Sequence, residues 1–152
     1  MEERYRIKVS TMALVEHDGK MLAVREQIPH NDPNAPIVLN QPGGHMDPGE
    51  TVFESVVREC LEETGYTVKP VAVLSVYQNI DSEYLTISFI CELEDVERIP
   101  VEAPEIKEVV WLSRGEIAEK KSEHRSPRTS MRFNDYFEGQ RMPLNTIKTK
   151  TP

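Results

Sequence analysis

Residues 43–66 read GGHMDPGETVFESVVRECLEETGY, and this stretch predicts a tight glycine loop that runs directly into one helix. Thr51 and Glu54 have the spacing of a capping box, in which each side chain satisfies a free backbone N–H at the helix start. Gly65 suits the position just past the helix end, where a left-handed conformation costs glycine little. The helix is expected to have one broad apolar face, because hydrophobic residues recur at helical spacing at Val52, Phe53, Val56, Val57, Cys60 and Leu61.

Three glutamates give this helix an unusual charge distribution. At about 100° per residue, Glu59 and Glu63 lie one turn apart, with Glu63 at the edge of the apolar face and Glu62 on the outer side of Glu59. Like charges at this spacing repel one another, and partial burial makes ionisation more costly. A hard divalent cation such as Mg²⁺ removes both penalties, because it prefers carboxylate oxygen and keeps open positions for phosphate. A solvated acidic helix face is the alternative that these three residues alone leave open.

The spacing of the fixed residues in this stretch resembles the Nudix box, the signature of hydrolases that cleave nucleoside diphosphates linked to another group. Gly44 is followed after five residues by Glu50, and after seven more by the run RECLEETGY at residues 58–66. Every fixed position of the pattern is present. Two of its hydrophobic positions hold Cys60 and Tyr66, and a buried thiol packs as a small hydrophobic group, so neither departure affects the chemistry.

The resemblance implies a role for each of the polar residues in the box. Glu59 and Glu63 are expected to bind the metal directly, whereas Glu62 is either a third ligand or a base that acts through water. Arg58 is expected to contact Glu50, which would hold the loop against the helix. In the same family the carbonyl of Gly44 contributes to the metal site, and Gly43 allows a close turn.

A further acid from a later loop often serves as base or ligand in this family. Glu105 is the best candidate for that role, ahead of Glu102 and Glu108, because it precedes the strand of Trp111 by a few residues. The loop is rich in acids, and simple solvation of all of these carboxylates is the alternative.

The rest of the chain predicts an α/β fold. Extended segments are expected at residues 7–17, 20–26, 37–41, 68–77, 84–92 and 108–112, and two further helices at residues 113–121 and 127–138. Residues 28–36 contain three prolines and two asparagines and predict a loop near the pocket entrance. Pattern alone indicates a mixed α/β or α+β domain; the resemblance implies a Nudix-type α/β/α sandwich with a mixed β-sheet between helices.

Several polar residues outside the box are candidates for binding substrate. Arg25 and Gln41 lie on strands that border the predicted pocket, and His124 and Arg125 lie in a basic cluster at a helix start, where phosphate is readily bound. Each has a simpler interpretation, because surface arginines and solvated basic patches are common on acidic proteins.

The similarity extends beyond the box to a subgroup of bacterial Nudix phosphatases, through LNQPGGHMDPGET at residues 39–51 and HRSPRTS at residues 124–130. That likeness implies a Mg²⁺-dependent enzyme, with Mn²⁺ as a possible substitute, that releases phosphate from nucleoside tri- and diphosphates. Hydroxymethylpyrimidine diphosphate and thiamine diphosphate are further substrates implied by it. The alternatives are a pyrophosphatase that acts on ADP-ribose or dinucleotide polyphosphates, and a non-catalytic ligand-sensing Nudix domain.

Composition excludes several other classes of protein. The 152 residues suit one domain, residues 1–152, with a polar tail from residue 148 that is expected to fray. A net charge of −8 disfavours binding to nucleic-acid polymers, so a small phosphorylated molecule is the expected partner of a monomer or homodimer. No apolar stretch is long enough to span a membrane, the N-terminus lacks a signal sequence, and two cysteines make a disulfide framework improbable. A cytoplasmic location is therefore expected.

Overall fold

The computed structural model describes residues 2–151 and begins with a hairpin, as the sequence predicts. Strand β1 (Lys8–His17) turns into β2 (Lys20–Gln27) through Asp18 and Gly19. Both turn residues have left-handed backbone angles, with φ values of 48° and 73°. Such angles match the twist of two-residue hairpin turns, which is why Asp-Gly marks them. After the proline-rich loop comes β3 (Ile37–Asn40).

The glycine segment is a short strand rather than the loop expected from the sequence. Strand β4 (Gly43–His45) pairs antiparallel with β1, so that Gly44 lies opposite Thr11. A Cβ atom on Gly43 would collide with the backbone of β1, so a glycine is needed for this close approach.

Helix α1 (Val52–Thr64) has the ends that the sequence predicts. The capping box of Thr51 and Glu54 is formed in both directions, and Gly65 ends the helix with φ of 78°. A Cβ on Gly65 would also meet the carbonyl of Ile99, so the position requires glycine for space as well as for conformation.

The second half of the chain contains four strands and two helices. They are β5 (Val68–Asn79), β6 (Tyr84–Leu93), β7 (Ile106–Leu112), α2 (Arg114–Glu119), α3 (Pro127–Phe137) and β8 (Met142–Pro143), with 3₁₀ turns at Lys121–Glu123 and Leu144–Thr146. The sequence pattern did not predict β8, because two residues are too short to show alternation. Residues 148–151 of the tail form no helix or strand, and Pro152 lies outside the described residues.

The strands form a mixed sheet, which confirms the α/β class. The order is β3-β2-β1-β6-β5-β8, with β4 paired to β1 and β7 paired to β2. Strands β1 and β6 are parallel, and the other pairs are antiparallel. Helix α1 therefore has to cross the molecule to connect β4 with β5.

Helices cover both faces of this sheet, and successive side chains of β1 pack against helices on opposite faces. Ala13 and Val15 belong to the core with Val56 and Cys60 of α1. Leu14, between them, belongs to a second core with residues of α2 and α3. Both cysteines are buried free thiols. No helix in residues 2–151 has the length and apolar character needed to cross a membrane.

Candidate active site

Arg58 donates five hydrogen bonds, three of which connect α1 to the segment before it. Its Nε and Nη2 donate to the two carboxylate oxygens of Glu50 at 2.9 and 2.7 Å, and Nη2 also donates to the carbonyl of His45 at 2.9 Å. Nη1 donates to Glu59 at 2.9 Å and to Glu62 at 3.1 Å. The Arg58 guanidinium lowers the pKa of Glu50 to about 2, so this pair stays ionised at neutral pH. The contact between Arg58 and Glu50 is the one expected from the sequence.

Glu59 and Glu63 meet the glycine strand β4 from the side of α1. The Gly43 N–H donates to Glu63 Oε2 at 3.4 Å. A Cβ atom on Gly44 would lie 2.6 Å from Glu59 Oε2, so only glycine leaves room for that carboxylate. The side chain of Glu59 is 14% exposed, and burial raises its pKa despite the hydrogen bond from Arg58. Two carboxylates thus approach the same short piece of backbone.

Glu63 is the most strongly perturbed of these acids. Burial raises its pKa to about 9, and the neighbouring charges of Glu26, Glu59 and Glu105 add to the effect. Glu105, selected from the sequence as the additional acid, therefore lies close enough to influence Glu63. Three other carboxylates, those of Glu26, Glu59 and Glu105, are thus near enough for their charges to act on Glu63.

Glu26 is a residue that the sequence analysis missed. It is 4% exposed on β2 and accepts hydrogen bonds from Asn40 Nδ2 at 3.2 Å and Arg125 Nη1 at 2.9 Å. Alternation in β2 would have revealed it, because Leu22, Val24 and Glu26 recur at every second position of a buried strand. A carboxylate in such a series needs a partner or a function.

The donor set fits a hard divalent cation, although the expected ligands do not converge. Among residues 2–151, no three histidine, cysteine, aspartate or glutamate side chains are grouped as a metal site. Glu59 and Glu62 turn toward Arg58 instead, and Glu62 is 58% exposed. Carboxylate oxygen is nevertheless the ligand type that Mg²⁺ prefers. Burial raises the pKa of Glu63, and the charges of Glu26 and Glu59 raise it further, so a cation beside this carboxylate would favour its ionised form.

Two of the proposed substrate-binding residues have structural partners away from α1. Arg25 contacts Glu123 at 3.1 Å and Glu108 at 3.7 Å on the α2 side of the sheet. Gln41 is 1% exposed, and its Nε2 donates to the carbonyl of Thr129 at 3.0 Å, which ties the end of β3 to α3. Both residues shape the region rather than facing the carboxylates.

The other two, His124 and Arg125, lie just before α3. His124 Nδ1 is 2.6 Å from Ser130 Oγ, and burial lowers the pKa of the imidazole. Arg125 is about half exposed, contacts Glu26, and borders the cleft beside β4. Of the four substrate-binding candidates from the sequence, only Arg125 both contacts one of the acids, Glu26, and borders a cleft that is open to solvent.

A cleft of about 270 Å³ lies beside β4 on the side of the sheet facing α3. Its walls come from β1, β4, β6 and the beginning of α3, and Tyr84 and His45 are stacked at its edge with ring centroids 5.1 Å apart. A larger groove of about 630 Å³ runs along α3, but none of its lining residues belongs to α1 or β4. The smaller cleft borders Gly43 and Gly44 of β4, and a third cavity of about 390 Å³ is lined by Glu63 and by residues between 98 and 109.

Comparison with known proteins agrees with this geometry. The NUDIX domain family model matches residues 4–133. The phosphatase NudJ of Shigella boydii is 33% identical over 146 residues, 94% of this chain and 92% of that protein, and its Escherichia coli K12 counterpart is 32% identical over the same lengths. A NUDIX hydrolase from Nitrosomonas europaea superposes with a TM-score of 0.85 at 30% identity, covering 95% of this chain and 98% of the other.

Proposed function

This chain belongs to the Nudix hydrolase family, and from that membership we propose a Mg²⁺-dependent phosphohydrolase that acts on nucleoside tri- and diphosphates. The observation that carries the proposal is the meeting of Glu59 and Glu63 with Gly43 and Gly44, where carboxylates collect beside closely packed backbone. The similarity to a protein named as a phosphatase supports release of a phosphate group. Hydroxymethylpyrimidine diphosphate and thiamine diphosphate are further proposed substrates.

We assign the ion to the carboxylates of Glu59 and Glu63 and to the carbonyl of Gly44, with Glu62 as an outer group that reaches inward when Arg58 releases it. A bound divalent ion neutralises phosphoryl oxygens and lowers the pKa of water. Mn²⁺ has the same preference for oxygen ligands and is a suitable substitute.

The remaining residues of the site orient the metal ligands or accept a proton from the attacking water. Glu50 holds Arg58, and Arg58 in turn orients Glu59 through its Nη1 donor. Glu105 is proposed to accept the proton of the attacking water at its carboxylate, because its charge already acts on Glu63. The negative charge of Glu26 acts on Glu63, and the same carboxylate anchors Arg125 at the cleft.

A screen of phosphate release with Mg²⁺ across nucleoside tri- and diphosphates and thiamine-related diphosphates tests this function. Glu59→Gln and Glu63→Gln are expected to lower turnover by about 100-fold or more, since each removes a charge that the transition state needs. Glu119→Gln is the matched control, because Glu119 is exposed on α2 and loses the same charge. Turnover near wild type in both site variants would refute the assignment. Products cut at an internal phosphate would instead indicate a pyrophosphatase.

A further inference from the structure

The cleft beside β4 has a charge opposite to that of the protein as a whole. Arg125, Arg128 and Arg132 line it, and within residues 2–151 no aspartate or glutamate is among its lining residues. The complete chain has a formal net charge of −8. Arg125 is paired with Glu26 at 2.9 Å, whereas Arg128 and Arg132 make no ion pair within residues 2–151, so their two charges repel each other unless an anion enters.

Arg132 is buried in this cleft without a carboxylate partner among the described residues. It is 6% exposed, and its Nε donates to Gln41 Oε1 at 2.8 Å while Nη2 donates to Asn40 Oδ1 at 3.1 Å. Both acceptors are neutral amides, whereas buried charges are normally paired. Burial and the charges of Arg128 and Arg125 lower its pKa to about 10, so the guanidinium is still charged at neutral pH.

The surrounding hydrogen bonds fix this guanidinium in place. Thr129 binds both amides that hold it, through its hydroxyl to Asn40 Oδ1 at 2.9 Å and through its carbonyl to Gln41 Nε2 at 3.0 Å. The amide oxygens are therefore held toward Arg132. No protein acceptor within residues 2–151 occupies its Nη1 atom.

This cleft and the carboxylates of α1 lie on opposite faces of β1. Thr11 faces α1, where its hydroxyl is 3.0 Å from Ser55 Oγ, while its neighbours Ser10 and Met12 line the cleft. Strand β4 contacts both regions, because Gly43 and Gly44 border the cleft and also meet the glutamates. A ligand that passes β4 would extend from one region into the other.

We propose that this cleft is an anion subsite in which Arg132, Arg125 and Arg128 bind a phosphate group of the substrate other than the one that is hydrolysed. The inference rests on the proposed function for the identity of the substrate, and it assigns a binding site to the second phosphate group that each of the proposed substrates has. Arg132 provides a fixed charge at the base of the subsite, and the more exposed Arg125 and Arg128 complete it.

Calorimetric titration of inorganic phosphate into the metal-free protein, in EDTA at about pH 7.5, tests the subsite by itself. Without a metal ion the carboxyl groups of α1 offer phosphate no cation, so binding reports the arginines. We expect saturable binding that Arg128→Gln and Arg132→Gln each weaken by about tenfold or more, since each loses a charge-assisted hydrogen bond. Arg114→Gln is the matched control, because both arginines lie over an aromatic ring and only Arg128 lines the cleft. Arg128 Cζ is 5.8 Å from the ring centroid of Tyr77, and Arg114 Cζ is 5.0 Å from that of Phe137. Arg114→Gln should therefore bind phosphate like wild type.

Arg128→Gln keeps the test valid if Arg132→Gln fails to fold. Arg128 makes no ion pair within the described residues, so its replacement should leave the fold intact. In the active enzyme, Arg128→Gln should raise KM by about tenfold with kcat nearly unchanged. Absence of saturable phosphate binding, or equal binding by wild type and both cleft variants, overturns the subsite even if nucleotides are hydrolysed. Phosphate binding by wild type that both cleft variants weaken, while wild type with Mg²⁺ hydrolyses no substrate of the screen, retains the subsite and overturns the proposed function.

Discussion

Replacement of Glu63 by glutamine should stabilise the metal-free protein at neutral pH, although it removes a residue of the proposed active site. In the folded protein the pKa of Glu63 is raised from 4.5 to about 9. Between these two values the folded state keeps a proton that the unfolded state has lost. The free energy of unfolding therefore falls as pH rises through this window. Glutamine does not titrate, so the free energy of unfolding of the variant does not fall in this way as pH rises.

The magnitude follows from the size of the window. At pH 7 the solution is about 2.5 units above the unfolded pKa, and each unit corresponds to about 1.36 kcal/mol, which sets an upper limit of about 3 kcal/mol. Because the Glu63 side chain is partly open to solvent, we expect the free energy of unfolding of Glu63→Gln to exceed that of wild type by about 1–3 kcal/mol at pH 7. The difference between Glu63→Gln and wild type should be close to zero at pH 4.5 and should be largest near pH 9.

Urea unfolding in EDTA at several pH values, with Glu119→Gln as control, measures this difference. Added Mg²⁺ or Mn²⁺ should reverse the order, because an ion that binds the ionised carboxylate stabilises wild type and not the variant. A glutamine variant that is less stable than wild type at pH 7, or a difference that does not change with pH, would refute the account of Glu63 as a buried, uncompensated acid.

Three further substitutions test the framework of the site. Arg58→Met should destabilise the fold by about 3 kcal/mol, because it leaves the largely buried Glu50 unpaired. In wild type the lowered pKa of Glu50 adds to the free energy of unfolding above pH 4.5, and this contribution is lost as pH falls toward 2. Acid unfolding should show that the variant lacks this contribution. Gly44→Ala should lower kcat at least tenfold with a nearly normal urea midpoint, because its Cβ would displace the Glu59 carboxylate. Gly65→Ala should cost about 1–3 kcal/mol in urea unfolding while leaving the kcat of the folded protein unchanged, since φ is 78° there.

Local sequence signals predicted α1 and its acids well. The capping box, the apolar period and Gly65 fixed both helix ends, because each signal depends on residues within one or two turns. The same stretch predicted that Glu59 and Glu63 lie one turn apart, and the structure adds that this side of α1 meets β4. Spacing within a helix translates directly into geometry, so this part of the site could be predicted.

Features that depend on distant parts of the chain could not be predicted in the same way. Strand β4 exists because β1 lies beside it, and three residues carry no periodic signal. Arg25 was predicted to border the pocket, but it pairs with Glu108 and Glu123. The next residue, Glu26, is instead buried, and its charge acts on Glu63. Which face of β2 turns toward α1 depends on elements distant in the sequence. Arg132 looks like an ordinary surface residue in α3, and only the folded structure shows that it is buried beside two amides.

The most direct test of the metal assignment is Mn²⁺ binding, followed by electron paramagnetic resonance of the free ion at about pH 7.5. Wild type and Glu119→Gln should bind Mn²⁺ alike, and Glu59→Gln and Glu63→Gln should each bind it at least tenfold more weakly. Unchanged Mn²⁺ affinity in both site variants would contradict the claim that the glutamates of α1 hold the ion.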